Sequence, residues 1–340
     1  PITKYSIQYC LVGTHIENIK DKKFSWSNVE IPKLTDWCFL SRLKQTFTQD
    51  IKNNFSEINI SCDFRDTFPP INSTKVNELT TLEIQSNVHY KGGDFGKKTT
   101  FEQSTFLKIK KNTKSSLEEI LSDIFLYKNF LSLASLSTVT IDKILLFNED
   151  NFQKTGKDKK IFHPIELIYI QDDNLQSKKH LENLFSYHQI EKLYPQIITK
   201  WFNETSQINP IKTHLIESVK KKKAFKSIDF LIIIQAIEGY CIRFRKEQSL
   251  AKILESIIGE FSDIDKIIKS KIDIKATVDS RHYYSHFMNK YKKPKALEGK
   301  ELYDLTQKLR LLLICCLLNF IGIDNTIINE LLNKTNNNYC

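Results

Sequence analysis

The strongest constraint on this fold is a change of hydrophobic period near residue 170 of the 340. Before it, apolar residues alternate. After it they recur at three and four. Strands place successive side chains on opposite faces, whereas helices gather every third or fourth on one stripe. A chain that is mostly strand-like before that point and helical after it is expected to be α+β.

The strand-like part begins at Lys4–Val12, which alternates through Tyr5, Ile7, Tyr9 and Leu11. Further strands are expected at Glu57–Phe64, Leu82–Tyr90, Thr105–Lys110, Val139–Phe147 and Ile161–Ile170, arranged as a β-sandwich or a curved sheet. A helix interrupts them, with Leu117, Ile120, Leu121, Ile124 and Phe125 at helical spacing. Ser115 is its expected cap and Glu118 the capping-box partner. Lys91–Thr99 reads KGGDFGKKT, but Gly92 and Gly96 are too close for a phosphate-binding loop, and a hairpin turn fits better.

Beyond residue 170, Leu181, Leu184, Phe185, Ile190, Leu193, Ile197 and Trp201 predict a connecting helix bent near Pro195. Asn203–Pro210 reads as a polar loop. Helices are then expected over Lys212–Val219, Phe225–Arg245, Leu250–Gly259, Ser262–Ser270, from about Asp279, over Glu301–Ile321 and over Thr326–Leu332, with Asn336–Asn338 a frayed tail. These spans predict a β-rich domain over 1–175, a connecting helix over 176–204 and an all-α bundle over 205–335. With Pro1 first and Met288 the only methionine, an N-terminal piece is expected to be missing.

Charge separates the two parts as well. Of the net +10, residues 205–340 carry +8, from 23 Lys and Arg against 15 Asp and Glu. A basic excess on one part favours an anionic partner, nucleic acid first, with a solvated basic surface as the plain alternative. Lys220–Lys223 fits the solvated face. The seven cysteines are odd in number and show no CxxC or Cys/His ligand spacing, so a reducing compartment, the cytoplasm, is expected, with no structural zinc and no cofactor. The longest apolar run, Leu311–Phe320, is too short to span a bilayer, and no membrane association is expected.

The chemistry-bearing segment is Arg281-His282-Tyr283-Tyr284-Ser285-His286. A guanidinium stays charged, and an imidazole titrates near neutrality. Together they suit metal-free cleavage of a phosphodiester. His286 can take a proton from a ribose 2′-hydroxyl, and Arg281 can hold the phosphate charge. An Arg followed five to seven positions later by a His arises by chance about 0.4 times in such a chain, so the surroundings must support the pairing. Arg281 is expected in the irregular first turn of a helix capped by Asp279 or Ser280, where the helix N-terminus would favour phosphate. Tyr283 and Tyr284 can stack on bases, with core packing the alternative for one of them. Lys290, Lys292, Lys293 and Lys295 can track a backbone.

Arg-His-Tyr-Tyr-Ser-His-Phe at 281–287, the lysines at 290–295 and the helix from Glu301 to Arg310 resemble the final segment of a HEPN ribonuclease domain of the ApeA-type anti-phage family. Gln235-Ala236-Ile237-Glu238-Gly239-Tyr240 resembles its preceding helix. Leu11-Val12-Gly13-Thr14-His15 and Leu34-Thr35-Asp36-Trp37 are similar to its β-rich N-terminal domain. The resemblance implies a HEPN bundle of four or five helices, a homodimer through that bundle, and metal-independent RNA cleavage, tRNA included as a candidate, in abortive infection. It makes His286 the acid or base, Arg281 the phosphate-stabilising group, His282 auxiliary and Glu238 an orienting residue. From the residues themselves, Tyr284, Lys290, Lys292 and Lys293 are the expected RNA contacts. Met288 stands where one HEPN group carries a nucleotide-modified Tyr, so that regulation is not expected. The competing expectation is a non-catalytic HEPN scaffold binding RNA or protein.

Overall fold

The computed structural model describes residues 9–15, 19, 22–39, 43–49, 55–62, 70–93, 98–155, 159–170, 183–203, 205–219, 225–245 and 249–334. Tyr5, Ile7, Phe64, Gly96, Leu181, Lys220–Lys223 and Asn336–Asn338 lie outside them. The chain forms two compact units, one of residues 1–128 with 140–173, the other of 129–139 with 174–340.

The first unit is built on β1 (Tyr9–Val12), β2 (Phe24–Glu30), β3 (Leu43–Gln49), β4 (Phe55–Cys62), β5 (Asn72–Lys75), β6 (Thr80–Gly93), β7 (Lys98–Ser115), β8 (Lys143–Phe147), β9 (Phe152–Thr155), β10 (Lys159–Phe162) and β11 (Ile165–Tyr169). Seven of them make one antiparallel sheet in the order β1-β11-β8-β2-β7-β6-β5, and β3–β4 and β9–β10 form separate ribbons. This replaces the sandwich alternative. The apolar face of the sheet, with Val29, Leu82, Ile84, Leu107, Ile109, Ile144, Leu146 and Ile165 buried, has a helix rather than a second sheet as its neighbour. That helix, α2 (Leu117–Ser135), reaches the sheet through Asp123, which pairs with Lys111 on β7 and accepts from Thr80 on β6. Its capping box is Ser116 with Glu119, one residue later than expected, because Ser115 is still the last residue of β7. A short helix, α1 (Pro32–Cys38), buries Trp37, and its Thr35 accepts from the Thr105 amide. β6 and β7 stay paired as far as Gly93 and Lys98, and the turn expected between them, 94–97, lies outside the described residues.

Among its described residues the regular structure of the second unit is helical: the last residues of α2, then α3 (Tyr187–Ile190), α4 (Tyr194–Asn203), α5 (Thr205–Val219), α6 (Ser227–Phe244), α7 (Leu250–Glu260), α8 (Asp265–Ser270), α9 (Ile274–His286), α10 (Gly299–Phe320) and α11 (Asn325–Lys334). The expected bent helix is two helices, with Pro195 in the first turn of α4, where its missing N–H costs nothing. The expected loop at Asn203–Pro210 is mostly helix. Burial of Ile208, Ile211 and Leu215 outweighs the hydrogen bond that Pro210 removes inside α5. Each fully buried Leu or Ile contributes about 1.5–3 kcal/mol.

α10 is the axis of the bundle. Leu311 through Leu318 are all buried, the pattern of a helix covered on every side, and α5, α6, α7, α8 and α11 pack against it. Gly322, at φ +98°, closes it. The Gly322 and Ile323 amides donate back to Asn319 and Leu318, a left-handed turn that any side chain would strain. Cys315 and Cys316 lie inside this core, and burial pushes both thiols up. No helix is long and apolar enough to cross a membrane among the described residues. The architecture is α+β, a β-rich N-terminal part followed by an all-α bundle.

Candidate active site

Helix α9 starts earlier than its sequence suggests. Lys271 turns the chain at φ +46°, and Asp273 caps the helix by accepting from the Ala276 amide at 2.9 Å. Burial of Ala276 and Thr277 draws the segment before Asp279 into helix. Arg281 is therefore two turns in, and His286 is the last helical residue. The expected placement of Arg281 at a helix N-terminus, with the phosphate-binding amides that go with it, does not hold.

The two side chains meet nonetheless. Arg281 Nη1 is hydrogen-bonded to His286 Nε2. Helical Cβ atoms tilt toward the N-terminus, so a histidine in the final turn points back over the turn that carries the arginine. A guanidinium can only donate, so Nε2 is the acceptor in this contact. The other edge of the guanidinium is held from α6, where Glu238 Oε1 stands 3.3 Å from Arg281 Nε. Three residues on two helices thus form a chain from Glu238 through Arg281 to His286. His286 is exposed, while Arg281 and Glu238 are largely covered.

His282 lies one turn before His286, their rings 5.8 Å apart. Its Nδ1 is buried and has no hydrogen-bond partner among the described residues. Burial first, then the charges of Lys293 and Arg281, hold its pKa below the ordinary imidazole value.

Asp279, fully buried, is the residue whose part the sequence concealed. It reads as a helix cap, but its carboxylate faces Lys275 at 3.1 Å and Lys293 at 3.6 Å. The contact is one of charge more than of aligned hydrogen bonding. Burial pushes the carboxyl up, yet Lys275 and then Lys293 outweigh it and leave the pKa below the ordinary range. The available signal was the Lys275/Asp279 spacing of four, which puts both on one helix face.

The expected RNA contacts divide. Tyr284 is part-buried, its ring edge-on to Phe230 and its hydroxyl donating to the Leu297 carbonyl at 3.1 Å. The Leu297 amide donates to Ser280 Oγ, so α9 grips Leu297 at both backbone groups. Lys290 pairs with Glu298 and Lys293 with Asp279, whereas Lys292 is exposed with no ion pair among the described residues. Met288 is exposed at the end of the motif. No group of three or more His, Cys, Asp or Glu is placed to hold a metal among the described residues.

Two family models match the chain: ApeA N-terminal domain 1 over residues 1–201 and Apea-like HEPN over residues 210–327. No curated protein and no solved structure matches it.

Proposed function

This chain belongs to the ApeA family, an ApeA N-terminal domain joined to an ApeA-like HEPN domain, and from that membership we propose that it is a metal-independent endoribonuclease of anti-phage defence. The observation that supports this reading is the Glu238–Arg281–His286 chain in the HEPN part. RNA phosphate draws the Arg281 guanidinium off His286, and the freed Nε2 accepts the proton of the ribose 2′-hydroxyl. The 2′-oxygen attacks phosphorus, Arg281 stabilises the negative charge that grows on the phosphoryl oxygens, and the 5′-oxygen leaves. The products are a 2′,3′-cyclic phosphate and a 5′-hydroxyl end. Two proton transfers need two groups. In a homodimer built through the HEPN bundle, one copy's His286 takes the 2′ proton and the other's, protonated, supplies the 5′-oxygen. Glu238 keeps the guanidinium plane directed at the phosphate.

The setting proposed is a cytoplasmic homodimer that cuts cellular or phage RNA, tRNA included, and thereby aborts infection. The test is incubation with single-stranded RNA in EDTA, followed by end-group analysis. Cleavage leaving cyclic phosphate, with matched DNA uncut, is the expected result. Loss of all cutting in EDTA, or equal cutting of DNA, overturns the mechanism. RNA binding without any cleavage, metal supplied or not, leaves the scaffold reading.

A further inference from the structure

We infer that Phe287 and Tyr291 form an aromatic platform on which bases of single-stranded RNA stack beside the Arg281–His286 pair. The inference rests on the ribonuclease reading and names the substrate form that this site accepts.

Phe287 follows His286 directly. It adopts φ +51°, a left-handed conformation that bulky side chains disfavour and in which helices usually place glycine. Its ring is 92 % exposed, so the protein's own packing gains nothing from it. Tyr291, 93 % exposed, stands four residues on, in a single 3-10 turn over Lys290–Lys292. That turn is held in place. Asn289 accepts from the Tyr291 amide, Lys290 is tied to Glu298 and Lys293 to the buried Asp279. Two large rings are therefore presented to solvent on an anchored segment next to the candidate catalytic pair. The tyrosines inside α9 are differently used, Tyr283 and Tyr284 packing edge-on with centroids 4.8 Å apart.

Charge identifies the occupant. Lys290, Lys293 and Lys295 face Glu298, Asp279 and Asp273, and Lys292 is exposed with no ion pair among the described residues, yet residues 271–300 hold eight Lys and Arg against three Asp and Glu, so the surroundings stay basic. A symmetric contact between two copies would set this patch against itself and bring like charges together. A nucleic-acid strand supplies phosphates for the lysines and base faces for the rings. Only unpaired bases offer those faces, because a duplex stacks them internally. The site should then select loops and single strands over duplex.

The experiment compares the full chain with Phe287→Gly, Tyr291→Ala and the double variant. Binding is followed by fluorescence anisotropy with labelled 2′-O-methyl oligouridine, which lacks the attacking hydroxyl, and with its duplex on oligoadenosine. Each single substitution should weaken single-strand binding roughly five-fold or more, with duplex binding and the salt slope unchanged. Phe287→Gly should melt at or above the parent temperature, since glycine suits the positive φ. Single-strand affinity within about two-fold of the parent in the double variant overturns the platform, and so does a variant whose sedimentation shows a lost dimer, which would make the rings an interface between copies. If the parent protein cuts RNA while the variants bind normally, only the platform fails. If the parent neither cuts RNA nor binds the oligonucleotide, the ribonuclease reading fails and the platform with it.

Discussion

Lys293 Nζ lies 3.6 Å from the carboxylate of Asp279, a residue with no exposed surface, and so pins the segment after α9 onto the flank of the helix it leaves. Lys292, its neighbour in sequence, is exposed. Two adjacent lysines thus have different work. Lys293→Ala leaves the buried Asp279 with Lys275 alone of its two lysines, and Asp279→Ala leaves the largely covered Lys293 without its carboxylate; each should cost about 2–3 kcal/mol, read as a lower Tm. Lys292→Ala should leave Tm nearly unchanged, weaken RNA binding evenly across sequences, and reduce the salt slope by about one.

His286→Ala should reduce RNA cleavage by about 10²–10⁴-fold while binding and Tm stay close to those of the parent. The imidazole is exposed at the end of α9, so its removal opens no cavity. Cleavage at the parental rate would remove His286 from the chemistry. A large fall in Tm would make it a structural residue.

Glu238→Gln should lower kcat more than KM. The guanidinium loses its anchor at Nε but keeps its charge. Arg281→Lys should be worse, because an ammonium cannot reach Glu238, His286 and a phosphate with one planar fork. Single-turnover rates at saturating RNA separate these from binding defects. Equal rates for Glu238→Gln and the parent would show that Glu238 does not position the arginine.

His282 should make the fold acid-sensitive. Its folded pKa lies below the ordinary value of 6.5, so between those two values the unfolded chain binds more protons than the folded one. Stability from this group is complete above pH 6.5 and declines as pH falls toward the folded pKa. Urea melts between pH 7 and pH 5 should show the decline, and His282→Gln should flatten it. An unchanged slope in the variant would assign the acid sensitivity to other groups, Asp279 excepted, whose depressed pKa acts only below the ordinary carboxylate range.

Much of the architecture was open to reading because it rests on local pattern. Alternation marks β6 and β7, three-and-four spacing marks α6 and α10, and both survive in any context because a side chain's face follows directly from backbone period. Boundaries were less legible. Ser115 and Ser116 are equally good caps, and the pairing of β7 with β2 decides between them by keeping Ser115 in the strand. The Asn203–Pro210 stretch is polar enough for a loop, and Ile208 with Ile211 turns it into helix by finding a core to enter.

The sequence alone determined the residue types at the candidate site, their order, the basic excess around them and the α+β division of the chain. Only the tertiary structure decided what each residue faces. Asp279 became a buried anchor rather than a cap because Asp273 caps α9 and burial of Ala276 and Thr277 carries the helix past it. Arg281 came to stand between Glu238 and His286 because α6 packs against α9. Tyr284 turned to Phe230 while Phe287 turned outward, although the two are three residues apart. Side-chain chemistry is carried by the chain, but the charge or apolar surface that meets it comes from distant segments, and that meeting exists only once the helices have packed.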